Sequence, residues 1–330
     1  MNTDILFKLT IIIATALLSW LFLYLLIPLL RNNFIDRPTE RSSHSFPKAR
    51  GGGIIFVFIS LIGSLILFIF FDLNNFFILP LICLPLALIG LIDDKYNIPS
   101  LIRYIAQFTT VSYLVLKVSL INQIIFQNNN TNFLHLLLLL FIIIACTAII
   151  NFINFMDGID GLVASCMLII LATASSNYNP SLLTLVGSLI GFLFLNWSPS
   201  KVFMGDVGSI FLGSILSGII LSSSNLSEGL GILLVSTPLL FDPFITLIKR
   251  FLSGQKIFQA HRLHLYQRLH QSGWSHGKVS SIFSISTAFL AISYIFYGLP
   301  LLFVSTSIYI IFYIWLDIKF AIPFSIASKK

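Results

Sequence analysis

The residues best suited to chemistry come in short clusters. Asn151, Asn154, Asp157 and Asp160 follow a nearly unbroken apolar run, 136–150, with Gly158 and Gly161 set among them. Ionisable groups are rare in apolar helices, and where they occur a functional site is the default expectation. Residues three apart on a helix lie on neighbouring faces. The four polar residues therefore read as one slowly drifting stripe, with the glycines breaking the helix. Such a stripe can also glue helices together, an explanation that suits the amides better than the carboxylates.

Two further acidic clusters flank it in sequence. Asp93 and Asp94 are adjacent, and neighbouring carboxylates usually share a cation, a base or a proton. Arg103 and Gln107 follow one turn apart, on one helix face, which aims both into the same cleft. Asp206 sits between Gly205 and Gly208 where an apolar run begins. It reads as a helix N-cap or as a ligand for Mg²⁺, which takes one or two carboxylates and fills its shell with water and substrate phosphate.

Basic clusters complement the acids. His44, Lys48 and Arg50 precede Gly51, Gly52 and Gly53. Glycines opening a helix bring backbone N–H groups to an anion, and a basic side chain closes the cradle. The same residues also fit an ordinary basic loop beside a membrane. Further on, His261 and His264 are flanked by Arg262 and Arg268. Two histidines at this spacing could hold zinc, but no cysteine or third ligand is spaced to complete the site. The basic surroundings favour phosphate clamping.

The elements that must position these clusters are membrane helices. Of 330 residues, 57% are hydrophobic and 9% charged, against about 25% charged in a soluble domain. The expected fold is an all-α polytopic membrane protein, with 1–330 as one integral domain. Spanning the ~30 Å hydrocarbon core takes about 20 residues. Eleven windows qualify: 5–30, 53–71, 76–92, 101–121, 133–153, 159–175, 181–196, 208–223, 229–249, 280–298 and 300–320. Nearly all Lys and Arg fall in one set of alternate loops, so that set is cytoplasmic, the N-terminus outside and the C-terminus inside. The acidic clusters share that face, which places the active-site cleft there. The net charge of +7 then belongs to loops beside anionic headgroups and not to a nucleic-acid surface. Cys83, Cys146 and Cys166 read as buried, inert thiols.

The ordered set of Asp93-Asp94, Asn154 to Gly161, Phe203 to Ser209 and the His261/His264 loop resembles the polyprenyl-phosphate N-acetylhexosamine-1-phosphate transferase superfamily. The resemblance implies transfer of a sugar 1-phosphate from a UDP-N-acetyl sugar to undecaprenyl phosphate, with release of UMP. It implies Mg²⁺ (with Mn²⁺ as a substitute) on Asp206, and Asp93 and Asp94 activating the lipid phosphate or assisting the metal. Asn154 and Asp157 would face the donor's diphosphate-sugar region. Asp160, Asn196 and Phe203 match uridine-pocket positions, and His261, Arg262 and His264 would hold the diphosphate. His44, Arg50 and Arg103 would line the substrate site.

The fifth loop departs from the run of histidines found in the phospho-MurNAc-pentapeptide branch. Together with Ser43-His44 and Arg50 to Gly53, it looks like the O-antigen-initiating branch, with GlcNAc, QuiNAc or FucNAc as the sugar. The implied setting is the bacterial inner membrane and lipopolysaccharide synthesis, with a homodimer left open. A MurNAc-pentapeptide donor is the alternative within the superfamily. A CDP-alcohol phosphotransferase is rejected because Ile159-Asp160-Gly161, not Ala-Arg, follows Asp157-Gly158. A transporter would place its acids near the bilayer midplane, and these lie at span ends.

Overall fold

The computed structural model describes residues 2–38, 46–71, 78–118, 133–177, 182–257, 259 and 261–328. It is mostly helical: α1 (Asn2–Asn33), α2 (Gly53–Phe71), α3 (Ile78–Tyr96), α4 (Ser100–Val118), α5 (Phe133–Met156), α6 (Leu162–Asn177) and α7 (Leu182–Asn196). There follow α8 (Asp206–Ser222), α9 (Leu226–Val235), α10 (Thr237–Leu252), α11 (Leu265–Gln271), α12 (His276–Lys319) and α13 (Phe324–Ala327). A two-stranded antiparallel ribbon, β1 (Ile35–Asp36) with β2 (Lys48–Ala49), lies between α1 and α2.

Among the described residues, four helices are long and apolar enough to cross a membrane: Ile5–Asn33, Gly53–Phe70, Phe133–Met156 and His276–Lys319. The pair α9 and α10 makes a fifth if taken as one span. It is not a straight one. The window 229–249 breaks after Val235 and bends by 72°, where Pro238 opens α10 without an N–H to continue the earlier ladder. The break expected at Gly298 in α12 is present, as a residue at φ 68° and ψ −160° inside the run. All three cysteines are buried and free.

Helix α8 is the axis of the fold. It packs against α3 and α5 and also touches α2, α4, α6 and α9. Its apolar and small residues, from Val207 to Leu221, are almost all buried. Small residues let backbones approach where lipid offers no competing hydrophobic drive. A Cβ on Gly213 would lie 2.8 Å from Ile150 Cα, and one on Gly53 would lie 2.5 Å from Gly208 Cα. The start of α8 is thereby pressed against the start of α2, the end of α3 and the end of α5.

Candidate active site

The end of α3 is built to present two acids. Asn97 leaves the helix with φ 48°, a left-handed conformation that Asn tolerates, and Pro99 prevents continuation. Asp93 Oδ1 accepts from Ile98 N at 2.8 Å, closing that turn. Its other oxygen accepts from Arg103 Nη1 on α4 at 2.7 Å. Asp94 faces the other way, into the start of α8. Its two oxygens accept from Asp206 N at 2.8 Å and Val207 N at 3.1 Å, satisfying donors that every helix N-terminus leaves open.

Asp206 is 9% exposed and lies between two guanidiniums. Arg50 Nη2 reaches Oδ1 at 2.6 Å and Arg103 Nη1 reaches Oδ2 at 3.1 Å, while Arg50 Nε also holds Asp94 at 2.7 Å. Burial works against the Arg50 charge, but Asp206 and Asp94 outweigh it and hold its pKa above the ordinary value. Asp93, Asp94, Arg50, Arg103 and Asp206, apart in sequence, are thereby brought together in space.

The stripe on α5 is not one stripe. Asn151 donates to Gln107 Oε1 at 2.7 Å and Asn154 to Ser209 Oγ at 2.9 Å. Helix α5 ends at Met156, and Asp157 follows in the turn. Asp157 is half-buried, and among the described residues no side chain hydrogen-bonds to its carboxylate. Burial, then the nearby Asp206 charge, pushes its carboxyl up to about 8.

Asp160 points elsewhere. It accepts from Ser200 Oγ at 2.7 Å and Ser200 N at 3.1 Å, and it pairs with Lys48 at 3.3 Å and His276 at 3.3 Å. The helix has ended at Met156, and the turn closes at Gly161, at φ 76° with Trp197 packed where a Cβ would stand. Asn196 secures the same corner, accepting from Gly161 N at 3.1 Å and donating to Val202 O at 3.0 Å. Phe203 lies under the Lys48 ammonium at 4.9 Å. Asp160, Asn196, Phe203 and Lys48 thus form a neighbouring corner of the site, with Asp160, Asn196 and Lys48 all engaged by protein.

Two expectations are corrected. The Gly51–Gly53 segment is not an open phosphate cradle, because Gly52 N donates to Phe203 O and Gly53 N to Met204 O, each at 2.9 Å. Its glycines serve close approach instead. Arg268 does not flank the histidines as an anion clamp. It is 1% exposed, donates to Leu263 O at 3.0 Å and Ile322 O at 2.9 Å, and pairs with Asp317 at 2.6 Å. His44 lies outside the described residues.

The histidine segment meets the α5 turn through Tyr266, a residue the motif reading passed over. Its hydroxyl donates to Phe155 O at 2.9 Å, and any Cβ on Gly158 would collide with that hydroxyl at 2.1 Å. His261 and Arg262 are half-buried, whereas His264 is 3% exposed. The two imidazoles stand 4.9 Å apart, centroid to centroid. Burial, with His264 and Arg250 close by, pushes the His261 imidazole down to about 3, so it is neutral at physiological pH. A cavity of about 770 Å³ lies between α5 and the bent pair α9–α10, walled by Cys146, Ile149, Phe152, Leu233, Phe241 and Phe244.

Comparison with known proteins places this geometry. Residues 76–224 match the model of glycosyl transferase family 4. That segment is just under half of the chain. It contains Asp93, Asp94, Arg103, Asn154, Asp157, Asp160, Asn196, Phe203 and Asp206, while Arg50 and the histidine segment lie outside it. A probable undecaprenyl-phosphate N-acetylglucosaminyl 1-phosphate transferase of Bacillus subtilis is 37% identical over 134 residues, 37% of each chain. A phospho-N-acetylmuramoyl-pentapeptide-transferase of Carboxydothermus hydrogenoformans is 38% identical over 112 residues, 33% of each chain. A decaprenyl-phosphate N-acetylglucosaminephosphotransferase of Mycobacterium tuberculosis is 28% identical over 306 residues, 79% of this chain and 76% of that one. The chain thus matches about a third of the length of the first two. The relatives' names are those of phosphosugar transferases, in agreement with the family match over 76–224.

Proposed function

We propose that this protein transfers an N-acetylhexosamine 1-phosphate from a UDP-sugar to undecaprenyl phosphate. An oxygen of the lipid phosphate attacks the sugar-linked phosphorus, that phosphorus–oxygen bond forms, and the bond to the UMP phosphate breaks. The observation that carries the reading is the cluster at the start of α8: Asp206 between Arg50 and Arg103, with Asp93 and Asp94 beside it and the half-buried Asp157 nearby. A phosphate nucleophile is already anionic, so positioning and charge neutralisation dominate such a transfer. The apolar cavity beside α5 suits the prenyl chain of the acceptor.

The donor atoms here fit Mg²⁺. They are hard carboxylate oxygens, on Asp206 and its neighbour Asp157. That matches an ion which takes one or two carboxylates and leaves the rest to water and phosphate. Asp206 would hold it, with Asp157 within the same site. When bound, Mg²⁺ neutralises charge on the diphosphate as a Lewis acid. Arg50 and Arg103 bind phosphate oxygens, Asp93 keeps Arg103 oriented, and Asp94 fixes the backbone that carries Asp206. Neutral His261 donates to the donor diphosphate, and Arg262 supplies the charge on that side.

The donor sugar is GlcNAc or a 6-deoxy relative such as QuiNAc or FucNAc, for O-antigen synthesis at a bacterial inner membrane. The helices adopt the eleven-span arrangement with the site on the cytoplasmic face. A MurNAc-pentapeptide donor is the second reading, favoured by the 38% identity to a relative so named. Purified protein with undecaprenyl phosphate, Mg²⁺ and a panel of UDP-sugars tests the proposal. UMP should appear with one UDP-acetamido sugar and not with UDP-MurNAc-pentapeptide. Folded protein that releases no UMP with any donor would sink it. Asp206→Asn should abolish turnover.

A further inference from the structure

One fully buried carboxylate takes no part in the cluster at α8. Asp242, in the middle of α10, is 0% exposed. Its oxygens accept from Leu265 N at 2.8 Å and Tyr266 N at 3.1 Å, the first two N–H groups of α11. Thr246 Oγ1 at 3.2 Å and the Tyr313 hydroxyl at 3.3 Å complete its shell. His264 Nδ1 stands 3.6 Å away, just beyond hydrogen-bond length, and has no other polar partner. The His264 ring is stacked near Tyr266 at 5.8 Å and lies 6.2 Å from Phe155. Sealed on these sides, His264 is in no position to meet a soluble diphosphate. His261, half-buried and 4.9 Å further out, is.

We propose that the two histidines divide their roles: His261 contacts the donor, and His264 with Asp242 forms a buried pair that positions it. This rests on the reading that the segment binds a nucleotide diphosphate. Asp242 holds the start of α11, Tyr266 ties that start to Phe155, and His264 sets the floor on which the His261 ring lies. A contact residue and a positioning residue leave different signatures. Loss of His261 removes interactions made with substrate, whereas loss of the pair lets His261 wander and weakens ground-state binding first.

The test pairs a kinetic and a chemical readout on full-length protein in detergent. Asp242→Asn keeps the size but sets an amide against one of the two backbone donors, and His264→Gln keeps a polar floor without the ring. Each should raise KM for the UDP-sugar about tenfold with kcat changed less than threefold. The double variant should be no worse than the worse single one, because the two act as a unit. Asp242→Glu should recover part of the loss. His261→Ala should instead lose kcat. Independently of turnover, diethyl pyrocarbonate with peptide mapping should modify His261 and spare His264 in the wild type, and should reach His264 in Asp242→Asn. Should Asp242→Asn not fold, His264→Gln and the wild-type labelling still decide.

The proposal is overturned if His264 is modified as fast as His261 in the wild type. It is equally overturned if His264→Gln loses kcat as His261→Ala does, or if the double variant shows the full product of two independent losses. Wild-type protein that turns over no donor yet shows the expected labelling would retain the buried pair and remove only the diphosphate reading.

Discussion

Asp94 and Asp242 do the same structural job at two places. Each is a buried carboxylate on one helix that accepts from the first two N–H groups of another, α8 for Asp94 and α11 for Asp242. The distances are the same in both, 2.8 and 3.1 Å. Their surroundings differ. Asp94 also binds the Arg50 guanidinium, and that guanidinium is shared with Asp206. Asp242 is completed by two hydroxyls and a histidine. A helix N-terminus alone offsets only part of a buried charge, so each carboxylate needs further donors. Where those donors are arginines they remain available to a phosphate. Where they are hydroxyls they only hold geometry. The α8 corner can rearrange its charges around a ligand, and the α11 corner cannot.

The largest effect should come from separating α8 from its cap. A Cβ on Gly205 would lie 2.4 Å from Asp94 Oδ2, and the residue is at φ 77°. Gly205→Ala should lower kcat/KM at least ~100-fold, about 2.7 kcal/mol at 1.36 per decade. Gly254→Ala provides the control, since Gly254 has a similar φ of 68° with nothing within 4 Å. Its cost should be about 1 kcal/mol of backbone strain in a denaturation midpoint, with turnover unchanged. Equal losses of activity would show that strain, not the Asp94 contact, matters at Gly205.

Next comes Asp160, which belongs to neither corner. Its partners Lys48, Ser200 and His276 join β2, the loop before α8 and the start of α12. Breaking a buried pair from one side costs about 3 kcal/mol. Asp160→Asn should therefore unfold more readily in denaturant while turnover per folded molecule stays within about threefold, as expected of a residue outside the transition state. An unchanged midpoint with a raised KM for the donor would instead make Asp160 a uridine contact.

Much of the α8 corner was legible in the sequence. Acids at the ends of apolar runs are costly, so Asp93, Asp94 and Asp206 stood out, and helical spacing placed Arg103 beside Gln107. Helix α4 at Ser100–Val118 and α8 at Asp206–Ser222 fall close to the windows that hydropathy marked out. What periodicity does not carry is the direction taken after a helix ends. Asp157 and Asp160 part company because the helix ends at Met156 and both acids fall in the turn that follows, and no spacing rule foresees that. Gly52 and Gly53 looked like free donors because their acceptors, Phe203 O and Met204 O, lie about 150 residues on, a separation beyond any local rule. Asp242 lies inside the apolar window 229–249, but its partner helix begins 23 residues later, beyond the end of that window. Arg262 and Arg268 look alike in sequence; only packing decides that Arg268 is buried against Asp317.

Asp157 lies between the two corners. It sits in the turn that Asn154 ties to Ser209 on one side and Tyr266 grips through Phe155 on the other. Burial and the charge of Asp206 raise its carboxyl to about 8, far above the ordinary value of about 3.9. The folded protein therefore binds a proton here that the unfolded chain releases near pH 4. Stability falls wherever the folded state binds more protons, so this group's contribution is complete below pH 4 and is lost as pH rises to about 8. Asp157→Asn, uncharged throughout, should gain thermal stability relative to wild type across that interval, by a few degrees, with the difference level above and below it. Melting curves in detergent without added divalent ions, at half-unit steps of pH, would show it. Parallel curves would mean that Asp157 titrates as an ordinary surface acid, and the coupling between Asp157 and the α8 corner would be lost with that result.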